Sequence, residues 1–440
     1  MSDMLFPLPD AREPRVETTP APPRVQRPDR RQVELRALDL EALLPDDHRA
    51  RVVWAFVEGL DLTPFYAAIK AVEGQAGRPP IDPAILMALW LYATLEGVGS
   101  ARAVARLCEE HHAYRWLCGG VSVNYHTLAD FRVGHPEVLD GVLTTSVAAL
   151  LAAGVVELTR VAQDGVRVRA SAGGGSFRRA ARLQQYLTAA AAQVAALRDQ
   201  VEADPGALSR RQAAARHRAA EERRQRVTEA LAQLPALEAR RRKAGVKGPA
   251  RLSTTDPDAR VMKMPDGGYR PAFNAQFMTT TQGQIIVGVA VTNAGTDHGQ
   301  LHPMVEQVQQ RYGQAPTEVL ADGGYVDLDD LRALAAARGC QVYAPPPGRA
   351  DPTRAERPCW RPDDAMVAEW RQRMYSAAGQ AVYRERGATS ECINAQARNR
   401  GLRHLLVRGL RKVRTVLLWF ALAHNLLGAV RLRAAAALGP

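Results

Sequence analysis

Residues 178–243 carry a helical spacing of apolar positions and an excess of Ala, Leu, Gln, Arg and Glu, yet they stand between two stretches that read as β. On the N-terminal side, residues 155–170 alternate as a strand through Val155, Val156, Leu158, Val161, Val166 and Val168. On the C-terminal side, Tyr269–Thr280 and Gln284–Thr292 read as two strands joined by a Thr-Gln-Gly turn at 281–283. Such a chain must build its sheet around a helical excursion. Asp204-Pro205-Gly206 breaks that excursion, so it reads as a helical hairpin or a coiled-coil-like pair. Beyond the hairpin the pattern gives a helix at 299–312, a strand at 317–321, a helix at 328–338 and a strand at 340–344. Helices then cover 388–404 and 407–433, with Gly401 and Gly409 at bends.

The N-terminal third is different. Residues 1–34 are rich in Pro and Arg without an apolar period and read as a disordered basic arm. Residues 35–153 read as nearly all helix. Asp82 before Pro83 suits a cap and first helical residue, and Ser100 after Gly97-Val98-Gly99 suits another cap. Asn124-Tyr125-His126-Thr127 leads into Leu128–Arg132, with Thr127 as the expected cap. A short helix after a tight turn suits a helix-turn-helix DNA binder, with Arg132 placed to read a base. Plain scaffolding is the alternative for any helical pair. Four regions follow: the arm at 1–34, a helical N-terminal domain at 35–153, a core at 154–177 and 248–433, and an insert at 178–247.

Charge narrows the class of partner. The formal charge is +12 and the pI about 9.8, which points to a polyanion, nucleic acid first. The excess is concentrated: residues 178–247 hold 16 basic and 7 acidic residues, and residues 392–440 hold 9 basic residues and no acid. Five cysteines without a CxxC pair argue against a structural zinc site and a disulfide framework, and suit a reducing cytosol. No opening segment reads as a signal peptide. The apolar stretches at 143–156 and 415–430 fall short of a clean membrane span and read as core helices.

Three acidic residues have settings that suggest chemistry. Asp164 lies in Val-Ala-Gln-Asp-Gly-Val at 161–166, on the same face of its strand as Val166 and Val168. Asp322 lies in Glu-Val-Leu-Ala-Asp-Gly-Gly-Tyr at 318–325, at the carboxyl end of a strand, where open α/β sheets gather ligands. Glu391 closes Tyr-Arg-Glu-Arg-Gly-Ala-Thr-Ser-Glu at 383–391, with Asn394 and Arg398 three and seven residues on, along one helical face. Carboxylates converging from distant elements can hold a pair of Mg²⁺ ions that break and rejoin phosphodiesters. The plain alternatives are Asp-Gly turns at 164 and 322 and a helix-dipole partner at 391. Glu385 lacks the helical row that favours Glu391. Asp297 reads as turn and cap, Asp256 and Asp258 as solvated loop residues, and His111, His112 and His126 have no metal spacing.

These motifs resemble those of bacterial insertion-sequence DDE transposases, in the subgroup with an N-terminal helical domain and a helical insert after the first catalytic Asp. The resemblance runs from about residue 35 to residue 430. Asp164-Gly165 matches the first acidic motif, Asp322-Gly323-Gly324-Tyr325 the second, and Tyr383, Arg386 and Glu391 the third, with Arg398 where the family usually has Lys. Four residues separate Arg386 from Glu391, where the wider superfamily more often has three. Thr254-Thr255-Asp256 and Gly409–Arg414 strengthen the match. The resemblance implies an α/β, ribonuclease-H-like catalytic core, a mixed sheet flanked by helices. It implies Asp164, Asp322 and Glu391 as catalytic metal ligands for two Mg²⁺ ions, with Mn²⁺ as a substitute, and Tyr383, Arg386 and Arg398 as DNA contacts. It implies double-stranded DNA as partner, both element ends and target, and a homodimer in the synaptic complex. The setting implied is cytoplasmic, at the nucleoid and away from membranes. A nuclease of the same fold without strand transfer, and a silent DNA-binding derivative, are the rival readings.

Overall fold

The computed structural model describes residues 39–71, 79–203, 209–346 and 365–437. The arm expected at 1–34 and the break at Asp204–Gly206 lie outside the described residues.

The helical region holds α1 (Arg49–Glu58), α2 (Thr63–Tyr66), α3 (Pro83–Leu95), α4 (Ala101–Glu110), α5 (His112–Cys118), α6 (Tyr125–Gly134) and α7 (Pro136–Ala152). Asp82 caps α3 through the Ala84 amide at 2.8 Å, with Pro83 at the first position as the sequence suggests. At α6 the cap is Asn124, which accepts from the Thr127 amide at 2.9 Å; Thr127 itself is already helical. The helix begins three residues before the expected start, because the Asn124 side chain caps it.

The strand β1 (Arg160–Arg169) leads through β2 (Phe177–Arg178) into the insert, α8 (Ala180–Ala203) and α9 (Arg210–Lys243). Leu183, Val227, Ala230, Leu234, Ala250 and Leu252 give the insert its own small apolar core. The chain returns through β3 (Leu252–Ser253), β4 (Arg260–Lys263), β5 (Tyr269–Thr280) and β6 (Ile286–Thr292). Then come α10 (Leu301–Tyr312), β7 (Glu318–Leu320), α11 (Leu328–Arg338), β8 (Gln341–Tyr343), α12 (Ala365–Tyr375), α13 (Ala377–Asn399) and α14 (Leu410–Ala437).

The main sheet runs β4-β5-β1-β7-β8, with β6 also on β5. β5 is antiparallel to β1, β4 and β6, whereas β1, β7 and β8 run parallel. The α/β order and mixed sheet thus agree with the sequence pattern. The described residues also include β4, β2, β3 and α12, which short or interrupted periods hid.

α13 begins at Ser376, whose side chain accepts from the Gly379 amide at 3.0 Å, and not near residue 388 as the pattern suggested. Gly379 masks the helix in the sequence but is required there: a Cβ would fall 1.9 Å from the Arg373 carbonyl oxygen. Among the described residues one helix, Leu410–Ala436, is long and apolar enough to cross a membrane, but most of it is buried within the protein, against α3, α7 and β6. Trp419 and Phe420 are among its fully buried side chains. The helical region and the sheet therefore share one apolar core.

Candidate active site

Parallel pairing of β1 with β7 runs from Arg160–Glu318 to Ala162–Leu320 and stops. Asp164 and Asp322 each lie two residues past that last pair, at the mouth of the split. β1 continues along β5 to Arg169. The chain after β7 instead turns away through a short 3-10 helix, Gly323–Tyr325, which Asp322 caps by accepting from the Gly324 amide at 2.7 Å. Farther along β1, residues 403–405 take the vacated edge: the Arg169 amide donates to the Arg403 carbonyl at 3.2 Å and the Leu405 amide to that of Arg169 at 2.8 Å. The split thus forms a crevice at the carboxyl ends of parallel strands.

α13 packs on β1 and brings two side chains into the crevice. Asn394 donates to Asp164 Oδ2 at 2.9 Å. An Arg386 Nη atom lies 3.4 Å from Asp164 Oδ2 and 3.6 Å from Asp322 Oδ2. The two carboxylates therefore already share one cation. Burial raises the Asp164 carboxyl above its ordinary value; Arg386 and the Gly165 amide pull it down, while Asp322 and Asp297 push it up. Tyr383 is half-buried one turn before Arg386, and its phenol is raised, chiefly by burial.

Behind β1 lies a polar network. Asp297 accepts from Asn274 Nδ2 at 2.6 Å and Gln276 Nε2 at 2.7 Å. The Tyr325 hydroxyl donates to Gln276 Oε1, and Gln163 Nε2 donates to the same oxygen at 3.1 Å. Gly165 makes room for this: a Cβ there would lie 2.4 Å from Gln276 Nε2 and 2.6 Å from Asp297 Oδ1. The network ties the residue beside Asp164 to the turn that holds Asp322. Sequence reasoning reached Asp297 only as turn and cap. The available signal was the alternating row of polar side chains, Gln163 and Arg167 on β1 with Asn274 and Gln276 on β5, within otherwise apolar strands.

Residues 249–426 match the model of the transposase DDE domain, and residues 38–133 match that of a transposase domain (DUF772). The chain belongs to the insertion-sequence DDE transposases. No curated protein and no solved structure matches it. Asp322 and Glu391 of the transposase fall inside the DDE match, whereas Asp164 falls between the two matched segments. The fold carries Asp164 beside Asp322 through the β1–β7 pairing and their common neighbour Arg386.

The third expected acid is placed differently from the first two. Glu391 is exposed in the middle of α13, not at a helix start. Its Oε1 lies 4.0 Å from where a Cβ on Gly387 would be, so the glycine leaves the helix surface open beside it. Among the described residues no group of three or more His, Cys, Asp and Glu is gathered as a metal site. The residues present nonetheless fit the divalent cation that the family uses. The donors are all oxygen, two like charges face one half-buried crevice, and both already lie beside one cationic group.

Other expected site residues separate clearly. Glu385 pairs with Arg160 at 2.5 Å, and Arg160 also holds Glu318 at 2.5 Å, so Glu385 ties α13 to the start of β1. Arg398 is exposed two turns beyond Glu391. Arg132, expected to read a base, is directed inward. Its guanidinium donates to the Gly99 carbonyl and lies 4.7 Å from the centre of the Trp90 ring, and its own carbonyl accepts from Trp419 Nε1 at 2.9 Å. Burial lowers its pKa to about 10.

Asp256 and Asp258 are not solvated loop residues. Asp256 is fully buried and accepts from the Gly409 amide at 3.2 Å, and Asp258 accepts from the Leu410 amide at 3.0 Å. Two separate motifs of the transposase sequence, Thr254–Asp258 and Gly409–Arg414, thus meet as one cap on α14.

Proposed function

We propose that this transposase cuts DNA at the ends of its mobile element and joins the freed 3′-OH to target DNA, on a ribonuclease-H-like core. The observation that carries the reading is the shared approach of Asp164 and Asp322 to Arg386 at the β1–β7 split. In this reading Asp164, Asp322 and Glu391 would hold two Mg²⁺ ions, or Mn²⁺ in their place. When bound, such a pair lowers the pKa of an attacking water or 3′-OH and steadies the leaving oxygen.

The chain's own groups have defined parts. Asn394 and the Gly165 amide fix the Asp164 carboxylate, and the Gly324 amide fixes that of Asp322. Arg386 balances their charge and lies where a scissile phosphate would be drawn in. Arg398 offers a fork for a neighbouring phosphate, where Lys would offer a point charge. Tyr383 orders the DNA or packs beside Arg386 and forms no covalent link to DNA. The enzyme acts as a dimer that holds two element ends, at the bacterial nucleoid.

The test is an assay with supercoiled plasmid carrying the element ends and Mg²⁺. End-specific nicks followed by joined products support the reading. Nicks without joining would make the protein a nuclease, and binding without nicks a silent derivative.

A further inference from the structure

At the foot of the helical insert lies a cavity of about 610 Å³ whose walls carry Arg179, Arg240, Arg241, Lys247, Arg251 and Arg260 and no acidic side chain. Three parts of the chain build it: the end of α9 with its following linker, the segment entering α8, and the sheet edge at β4 with the loop after β6. Two of the cations serve the fold. Arg260 donates to the Pro257 and Ala259 carbonyls and to Gln233, and Arg241 donates to the Lys247 and Gly248 carbonyls. The other four are exposed, and no ion pair among the described residues holds them.

Six like charges around one concavity repel one another, and a polyanion relieves that repulsion. The cavity's aromatic side chain, Phe177, is only 8% exposed and packs in the core, so it offers no platform for stacking bases. Single strands are held by such platforms as well as by charge. A charged cleft without one suits the phosphates of a duplex.

We propose that this cleft seats one backbone of duplex DNA, gripped by Arg179, Arg240, Lys247 and Arg251. The inference rests on the transposase reading above and adds the surface that holds DNA away from the acids. Contacts of this kind position DNA and carry no sequence preference.

The test uses the full chain with Arg179, Arg240, Lys247 and Arg251 all changed to Gln, in an Asp164→Asn background that leaves DNA uncut. Binding to duplex is measured across a range of salt. The slope of log affinity against log salt should become shallower by about 0.9 for each phosphate that the variant no longer neutralises. The change should be equal on element ends and random duplex, with an unchanged melting temperature. An unchanged slope and affinity would overturn the proposal, as would a weakening confined to single strands, where the slope per phosphate is about 0.7. If the fourfold variant melts early, Lys247→Gln with Arg251→Gln alone, both in the exposed linker, repeats the measurement under the same criteria. Cleavage by the unsubstituted chain is scored separately. Cutting with an unchanged slope sinks only the cleft, and a changed slope without cutting sinks only the catalytic reading.

Discussion

Asn394 donates to Asp164 at 2.9 Å although 230 residues separate them in the chain. Together with the Gly165 amide on the other oxygen, this contact fixes the orientation of the carboxylate. Residues that orient metal ligands typically change activity or metal affinity by about 10–100-fold when removed. Asn394→Ala should therefore raise the Mg²⁺ concentration needed for half-maximal nicking by about that factor, with DNA binding retained. A Mg²⁺ titration of plasmid nicking measures it, and an unmoved midpoint would remove Asn394 from this role.

Asp164→Asn, Asp322→Asn and Glu391→Gln should each abolish Mg²⁺-dependent nicking. Asp164→Asn should also raise the melting temperature, because burial and the charges of Asp322 and Asp297 make its ionised form costly. Glu385→Ala should leave nicking nearly intact and lower stability by no more than about 1 kcal/mol, the usual worth of an exposed ion pair. Nicking by the Glu391→Gln protein at the original rate would exclude that acid from the site.

The sequence made the Asp322 strand end and the strand that carries Asp164 legible, because strand period survives in short runs; that Asp164 lies in the middle of β1, where only the pairing with β7 stops, was not legible. It put Asn394 on one helical face with Glu391 and Arg398, whereas in the fold Asn394 is buried against Asp164 and the other two are exposed. Other features depended on distant partners. Arg132 looks like a surface cation at the end of a short helix; only the fold shows Gly99 and Trp90 beneath it. Asp256 and Asp258 look like loop residues because the helix they cap begins about 150 positions later. Glu391 was expected at a helix start because Gly379 and Gly387 interrupt the period of α13. Packing overrides that local preference.

Arg132→Ala should behave as a core substitution. It removes a hydrogen bond to the Gly99 carbonyl and a cation–π contact with Trp90, together worth about 1–3 kcal/mol. Melting should fall accordingly, and affinity for specific and random DNA should fall together or not at all. A selective loss on element ends, with melting unchanged, would return Arg132 to base reading.

The cap on α14 predicts a pH signature. Burial raises the Asp256 carboxyl from an ordinary 3.8 to about 6, against the pull of the Gly409 amide. The folded chain therefore holds this proton more tightly than the unfolded chain. The stabilisation is fully present below about pH 3.8 and is lost as pH rises through about 6, by roughly 2–3 kcal/mol at most. Asp256→Asn keeps an acceptor for the Gly409 amide and cannot ionise. Denaturant melts from about pH 4 to about pH 8 should show the original protein losing stability relative to the variant across that window. Carboxylates distant from Asp256 cancel in the difference, and Asp258, whose charge bears on Asp256, is controlled by the same comparison in an Asp258→Asn background. A difference that stays constant with pH would mean that Asp256 ionises in the fold as it does in the unfolded chain. The amides of α14 would then stabilise its charge fully.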